Sequence, residues 1–93
     1  MSSISSVFFR EKPVEMLTLL LHSEKELYPS TIAKKVDVTY SHAVKVLQDM
    51  EKVDLVRADR HGRLKLITLT SKGREIAEHF SSAKTLLRSR GSL

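Results

Sequence analysis

What the sequence lacks already excludes several classes of protein. None of its 93 residues is cysteine, so neither a disulfide nor a cysteine-ligated zinc ion can form. The longest apolar run, Leu19 to Leu21, is far shorter than the ~20 residues that a membrane-spanning helix requires. The first residues also lack the basic and apolar segments of a signal peptide. We therefore expect a cytoplasmic protein with no membrane partner.

Motifs that carry chemistry are also lacking. The sequence has no glycine-rich phosphate loop, no nucleophile elbow and no pair of catalytic carboxylates. The four histidines are scattered and lack the spacing of metal ligands; they are His22, His42, His61 and His79. A chain of this length builds one modest core, which argues against a catalytic domain with its own cofactor fold. We expect no enzyme activity and no cofactor or metal, and no small-molecule ligand is evident.

Basic residues are in excess, and they are unevenly distributed. The formal net charge is +5, from 16 basic and 11 acidic side chains. Residues 34–93 carry thirteen of the basic and seven of the acidic ones, whereas residues 1–33 carry three and four. A basic excess confined to one part of a small domain is typical of a protein that binds a polyanion. It is also compatible with a solvated basic surface, so charge alone leaves both interpretations open.

Apolar periodicity predicts two helices in the first part of the chain. Pro13 fits the first turn of a helix that ends near residues 22–24, because its missing N–H costs nothing there. Residues 27–29 are too short for more than an edge strand. Ser30 is expected to cap a short helix over Thr31–Val36, since its hydroxyl can accept a backbone N–H.

A third helix is predicted after a tight connection at Asp37 and Val38. It spans Tyr40–Val53 and has Thr39 as its N-cap. Its inward positions, spaced four and then three, are Ala43, Leu47 and Met50. A short helix, a tight turn and a second helix with a capped start form the helix-turn-helix pattern.

After Asp54 the period changes from helical to alternating. Residues 55–58 and 64–69 are predicted as the strands of a hairpin, joined by the basic turn 59–63. Gly62 is free to take a positive φ in that turn. A hairpin directly after a helix-turn-helix is the wing of a winged helix.

The last helix is predicted over residues 71–87, with Thr70 as its cap. Apolar residues at spacings of three and four form a stripe along it, which consists of Ile76, Phe80, Ala83 and Leu87. The stripe has two interpretations, packing against the first helix of the same chain or an interface between two copies. Val7 to Phe9 would support the interface by covering the partner's helix.

Three short segments resemble a known family. Thr31–Ala43 resembles the helix-turn-helix of the winged-helix regulators of the MarR and ArsR type. Asp54–Val56 is similar to the Gly-Leu-Val that opens the family's wing, with an aspartate that tolerates positive φ in place of the glycine. Leu69–Gly73 is similar to the Leu-Thr-x-x-Gly that joins the wing to the last helix. The segments stand in the family's order over roughly residues 13–87.

The resemblance implies an α+β fold, mostly α: a winged helix-turn-helix with a three-helix core, a β-hairpin wing and a long C-terminal helix. The expected divisions are an N-terminal segment (1–12), the winged helix-turn-helix domain (13–70), a dimerisation helix (71–88) and a frayed tail (89–93). The chain lacks room for the ligand pocket and extra helices of full-length MarR-type proteins. It therefore resembles the minimal single-domain regulators of archaea and their viruses.

The implied function is that of a sequence-specific transcription regulator that binds double-stranded DNA as a homodimer on a pseudo-palindromic operator. The second helix of such a motif enters the major groove, and the wing meets the backbone or the minor groove. The candidate DNA-binding residues are Lys34, Thr39, Tyr40, Ser41, His42, Lys45, Gln48, Arg57, Arg60, His61 and Arg63. Gln48 can pair with adenine. Lys34 and Lys35 would hold phosphates or form a solvated face, whereas Lys65 fits protection of a strand edge.

Other functions remain open at the level of the sequence. Winged helices also serve as protein-interaction modules in larger assemblies. A non-specific architectural DNA binder would carry the same charge without reading sequence. Binding of single-stranded RNA is disfavoured, because only five residues are aromatic and base stacking needs exposed rings.

Overall fold

The computed structural model describes the backbone of residues 10–91 and the side chains of residues 10–88. The expected contribution of Val7 to Phe9 to a dimer therefore lies outside the described residues. Within them, the elements in chain order are α1 (Glu11–His22), α2 (Pro29–Val36), α3 (Tyr40–Lys52), β1 (Val56–His61), β2 (Leu64–Leu69) and α4 (Ser71–Gly91). This order confirms the predicted α+β winged helix-turn-helix with a hairpin wing and a long last helix.

A hydrophobic core lies between the first three helices, the hairpin and the start of α4. Its largest fully buried side chains are Met16, Leu17, Ile32, Met50 and Val56. The predicted inward positions of α3, which are Ala43, Leu47 and Met50, are all buried. Val46 is buried beside them, so the inward side of α3 is wider than predicted.

The starts of α2 and α3 differ in how they are capped. The Thr39 hydroxyl accepts the backbone N–H of His42 over 3.1 Å, which confirms Thr39 as the cap of α3. Ser30 was expected to cap α2, but this prediction is wrong, because α2 already begins at Pro29. Proline suits that first position, since its φ is fixed near the helical value and it has no N–H to leave unpaired.

Both α2 and α3 end at an aspartate with left-handed backbone. Asp37 has φ 61° and Asp54 has φ 65°. At the end of α3, the N–H of Leu55 donates to the carbonyl of Met50, and the N–H of Asp54 to that of Glu51. This pair of bonds is the Schellman motif, and an equivalent pair closes α2 at Asp37. The expectation that Asp54 adopts positive φ in place of the family's glycine is confirmed.

The hairpin is longer and its turn tighter than predicted. Residues 59–61 belong to β1, so only Gly62 and Arg63 separate the two strands, and the predicted five-residue turn is wrong. Gly62 has φ 65°, and glycine at the first position of a two-residue loop is typical of the type II′ turn, whose twist matches that of paired strands. Leu27 adds a single antiparallel bridge to Ile67, as expected of a short edge strand.

Thr70 connects the hairpin to α4. Its hydroxyl accepts the N–H of Gly73 over 2.9 Å, which confirms Thr70 as the cap. Gly73 lies directly against the backbone of Leu55, where a side chain has no room. α4 continues to Gly91, past the predicted end at Leu87, so part of the expected frayed tail is helical.

α1 packs along α4. It begins at Glu11, which confirms that Pro13 lies in its first turn, where an N–H has no helical partner. Nε2 of His22 lies 2.9 Å from the Ser81 hydroxyl of α4, within hydrogen-bond distance. In the described part of the chain, no helix has the length and apolar character needed to cross a membrane.

Candidate nucleic-acid interface

The side of α3 that faces away from the core is polar. Successive residues of a helix are rotated by about 100°, so the buried positions of α3 leave an opposite stripe. This outward stripe consists of Ser41, Lys45, Gln48 and Lys52, all of which are exposed. The first three are predicted contacts. Lys52 is absent from the predicted set, although its spacing of four from Gln48 indicates that it lies on the same side of the helix.

Lys45 is engaged in an ion pair on the outward stripe. Its ammonium group lies 3.0 and 3.1 Å from the two carboxylate oxygens of Asp49, one helical turn further on. The Lys45 side chain is 71% exposed, so the pair contributes at most roughly 0.5 kcal/mol to stability. It nevertheless places a negative charge beside the one lysine in the first three turns of α3.

A cleft of about 330 Å³ separates α3 from the hairpin. The side chains that line it include Tyr40, Val44 and Gln48 from α3, and Arg60, Arg63 and Lys65 from the hairpin. The structure therefore brings together four predicted contacts, which are Tyr40, Gln48, Arg60 and Arg63. Val44 and Lys65 belong to the same cleft but are absent from the predicted set.

Arg60 and Lys65 oppose each other directly across the hairpin. They continue the face that buries Val56 and Ile67, because side chains alternate along a strand. Among the described residues, neither cation has a carboxylate within ion-pair distance. Like charges directly opposite each other destabilise a hairpin. The arrangement gives the cleft a local positive charge that an anion would relieve, and protection of a strand edge remains a second interpretation of Lys65.

Two predicted hairpin contacts lie on the other face. Arg57 pairs across the strands with Thr68, and His61 pairs with Leu64. Both are exposed, but they alternate with Arg60 and therefore point away from the cleft. The structure does not bring Arg57 and His61 together with the cleft cations.

The remaining predicted contacts are exposed outside the cleft. His42 borders a separate hollow together with Lys12 and Pro13 of α1. Thr39 uses its hydroxyl oxygen to cap α3, which leaves its hydroxyl hydrogen available for donation. Lys34 lies in the last turn of α2.

Tyr28 lines the cleft beside the start of α2. Its hydroxyl donates a hydrogen bond to the Glu26 carboxylate over 3.0 Å, and this bond raises the pKa of Tyr28 above its usual value. The phenol therefore stays protonated at neutral pH and adds no negative charge to the cleft. Among residues 10–88, no three histidine, aspartate or glutamate side chains lie close enough to share a metal ion.

Comparison with other proteins gives an archaeal relative of similar length. No model of a known protein family matches the chain. An uncharacterized protein of Archaeoglobus fulgidus is 30% identical over 79 residues, which cover 82% of this chain and 83% of the relative. The crystal structure of AF1382 from Archaeoglobus fulgidus matches 91% of this chain and 97% of its own length, with a TM-score of 0.81 and 27% identity.

Longer bacterial regulators share the fold. MepR, a transcription regulator of the Staphylococcus aureus multidrug efflux pump MepA, matches with a TM-score of 0.77 and 23% identity over 96% of this chain and 68% of MepR. SPO1453, a MarR family transcriptional regulator from Silicibacter pomeroyi, matches with a TM-score of 0.80 and 21% identity over 94% of this chain and 62% of its own. These likenesses concern the fold, and they confirm the expected resemblance. The chain belongs to the family of its Archaeoglobus fulgidus relative, and its fold is the MarR-like winged helix-turn-helix.

Proposed function

We propose that this protein is a transcription regulator that binds double-stranded DNA. The observation that carries the proposal is the cleft in which Arg60, Arg63 and Lys65 face the exposed side of α3. The chain's likeness in fold to the transcription regulators MepR and SPO1453 supports it. A surface that docks a neutral protein gains nothing from crowded cations beside an exposed polar helix.

α3 is the element that suits the major groove. This groove is ~12 Å wide in B-DNA and admits one helix. With the exposed side of α3 against the base edges, the sugar-phosphate backbone between the two grooves runs along the hairpin side of the cleft. Its phosphates relieve the repulsion between Arg60 and Lys65, and Arg63 at the turn is at the right end of the hairpin to enter the minor groove.

The protein is proposed to act as a homodimer through the end of α4. Ile76 and Phe80, from the predicted stripe, pack partly buried against the core of their own chain. Ala83 and Leu87, from the same stripe, are exposed. Leu86, which the stripe omits, is 64% exposed and Leu87 is 72% exposed. Positions three and four apart share one side of a helix, so these three residues form an apolar patch that a second copy would cover.

A two-fold dimer determines the kind of operator. It would present two α3 helices to half-sites about one helical turn apart, roughly 34–36 Å. Two identical half-sites in opposite orientation make a pseudo-palindrome, which mirrors the symmetry of the protein. We therefore propose that the protein binds such an operator in a sequence-specific manner.

Selection from a randomised duplex library at near-physiological salt tests the proposal. The expected result is enrichment of a two-fold symmetric motif, with an affinity that falls steeply as salt rises because counterions are released. Retention of DNA without any motif would instead identify a non-specific architectural protein. No retention, with co-purification of a stoichiometric protein partner, would identify a protein-interaction module. Either of the last two results overturns the proposal.

Removal of single charges tests the contribution of the cleft. Lys65→Ala is expected to weaken binding to all duplexes alike and to lower the slope of log affinity against log salt by about 1. Lys25→Ala is the matched control, because Lys25 is exposed between α1 and α2 and does not line the cleft. Fluorescence anisotropy at several salt concentrations measures both. Equal effects of the two substitutions would mean that overall charge, not the cleft, binds DNA.

A further inference from the structure

We propose that α3 reads A·T base pairs, through the Gln48 amide and an apolar surface formed by Val44 and Tyr40. This inference rests on the proposed function and specifies its half-site. The Gln48 amide pairs with adenine. The Val44 side chain and the Tyr40 ring contact the methyl groups of thymine.

Tyr40, Val44 and Gln48 form one row along α3. They recur every four residues and line the same side of the cleft. Tyr40 is 61% exposed although it is large and apolar over most of its ring, and Val44 is partly exposed beside it. The thymine methyl is the one apolar group that base edges present in the major groove, so an apolar surface there distinguishes thymine from cytosine.

Gln48 supplies the polar part of the row. Its amide offers both a donor and an acceptor, which matches N7 and N6 of adenine in a bidentate pair. Within the described residues, the Gln48 side chain has no hydrogen-bond partner, so it is free to make that pair. Val44 lies one turn before Gln48, which places the apolar contact on a neighbouring base pair.

The cations that read guanine are scarce on α3. Arginine or lysine paired with O6 and N7 of guanine is the commonest specific contact, and α3 contains no arginine. Lys45 is paired with Asp49, whose carboxylate oxygens would repel the guanine acceptors. Lys52 lies in the last turn, whereas the N-terminal residues of a recognition helix make the base contacts.

The hairpin favours the same base composition. Runs of A·T pairs have a narrow minor groove with enhanced negative potential, which attracts inserted arginine. Arg60 and Arg63 lie at the end of the hairpin that is proposed to reach this groove. Both α3 and the hairpin therefore prefer A·T pairs within one half-site.

Base substitution in the best duplex from the library selection tests the inference on the full chain. Replacement of single thymines by uracil removes the methyl group and keeps base pairing. At one or two positions in each half-site, uracil is expected to weaken binding several-fold. Val44→Ser removes both methyl groups of the side chain, and it should reduce this difference between thymine and uracil at the position that Val44 contacts. Thermal unfolding of the variant verifies that it is folded.

The Gln48 contact is tested by a second pair of variants. Gln48→Ala is expected to lose at least about five-fold discrimination for adenine at one position per half-site, whereas other positions keep theirs. Lys52→Ala is the matched control on the outward stripe and should weaken all duplexes alike. A G·C-rich half-site, or indifference to uracil at every position, overturns the inference while the proposed DNA binding stands. Failure to bind any duplex overturns the proposed function itself.

Discussion

Asp54 holds a backbone conformation that glycine adopts at less cost. For most L-residues the left-handed region costs about 1–2 kcal/mol, and aspartate is among those that tolerate it best. At φ 65°, Asp54 allows Leu55 to turn back onto α3 and start the hairpin. Asp37, at φ 61°, does the same between the two helices of the motif. Two junctions of the fold therefore depend on residues that are adequate, not optimal, for their backbone.

Asp54→Gly is expected to raise the free energy of unfolding by about 0.5–1 kcal/mol. The relief of left-handed strain exceeds the extra entropy that glycine has in the unfolded chain. Urea denaturation measures the change. Asp59→Gly is the control, because the same substitution in β1 weakens a strand and should lower stability. Destabilisation of similar size in both variants would contradict this account of Asp54.

Gly73 is required by a close contact and not by its backbone angle. A methyl group on Gly73 would overlap the carbonyl oxygen of Leu55, which also accepts the N–H of Thr70 over 3.1 Å. The carbonyl of Leu55 and the N–H of Thr70 are both backbone groups, so neither can rotate away. The junction between the wing and α4 therefore needs a residue without a side chain at this position.

Gly73→Ala is expected to lower the free energy of unfolding by about 1–3 kcal/mol, the usual cost of overpacking. Helix propensity alone predicts the opposite sign, a gain of about 1 kcal/mol. Ser82→Ala, at an exposed position of the same helix, isolates the effect of helix propensity. It should raise the free energy of unfolding by a few tenths of a kcal/mol. Urea denaturation of both variants distinguishes the two causes, and a more stable Gly73→Ala protein would refute the contact.

At the scale of elements, Thr70 fixes the wing to α4. Its hydroxyl donates to the carbonyl of Asp54 over 2.6 Å, at the entry to the hairpin, and accepts the N–H of Gly73 over 2.9 Å, at the start of α4. One side chain therefore links Asp54, two residues before β1, to the start of the helix after β2. We expect the angle between the wing and the helical core to depend on this link.

Thr70→Val removes both hydrogen bonds with little change of shape and is expected to lower stability by about 1–2 kcal/mol. Thr70→Ser keeps the hydroxyl and should retain most of the stability. Amide hydrogen exchange at Gly73 provides a local readout, since its N–H loses its partner only in the valine variant. A valine variant as stable as the wild type would show that the two hydrogen bonds of the hydroxyl contribute nothing to stability.

The helices were predictable because their signals are local, whereas the faces of the hairpin were not. Thr39 and the inward positions of α3 can be identified from neighbouring residues alone. The two-residue turn extends β1 to His61, so alternation along the strand places Arg60 on the cleft face and Arg57 on the other. The sequence does not specify this choice, and it leaves Lys65 compatible with protection of a strand edge. The place of Val44 in the cleft is not predictable from the sequence, because an apolar residue outside the core stripe carries no recognisable signal.

At the scale of the whole molecule, positive charge marks more than one surface. Arg60, Arg63 and Lys65 meet at the cleft. Lys35, Lys84 and Arg88 line a different groove, between α1, the end of α2 and α4. The basic excess in the sequence therefore predicts a polyanion without locating it. The cleft is distinguished by its position beside the exposed side of α3, and this is a property of the fold.

The proposed dimer makes DNA binding depend on residues far from the DNA. Leu87→Glu places a charge in the exposed apolar patch at the end of α4 and is expected to convert the dimer to a monomer. Thr85→Glu adds the same charge on the opposite side of that helix and should leave the dimer intact. Sedimentation velocity measures the oligomeric state of each variant.

Affinity for full and half operators then distinguishes dimerisation from readout. Linking two sites raises the affinity for a full operator by an effective-concentration term, on the order of 100-fold or more, without any new contact. Leu87→Glu should lose this advantage yet bind a single half-site as the wild type does, since α3 and the cleft are unchanged. A variant that stays dimeric, or that loses half-site binding as well, would show that the end of α4 is not the dimer interface.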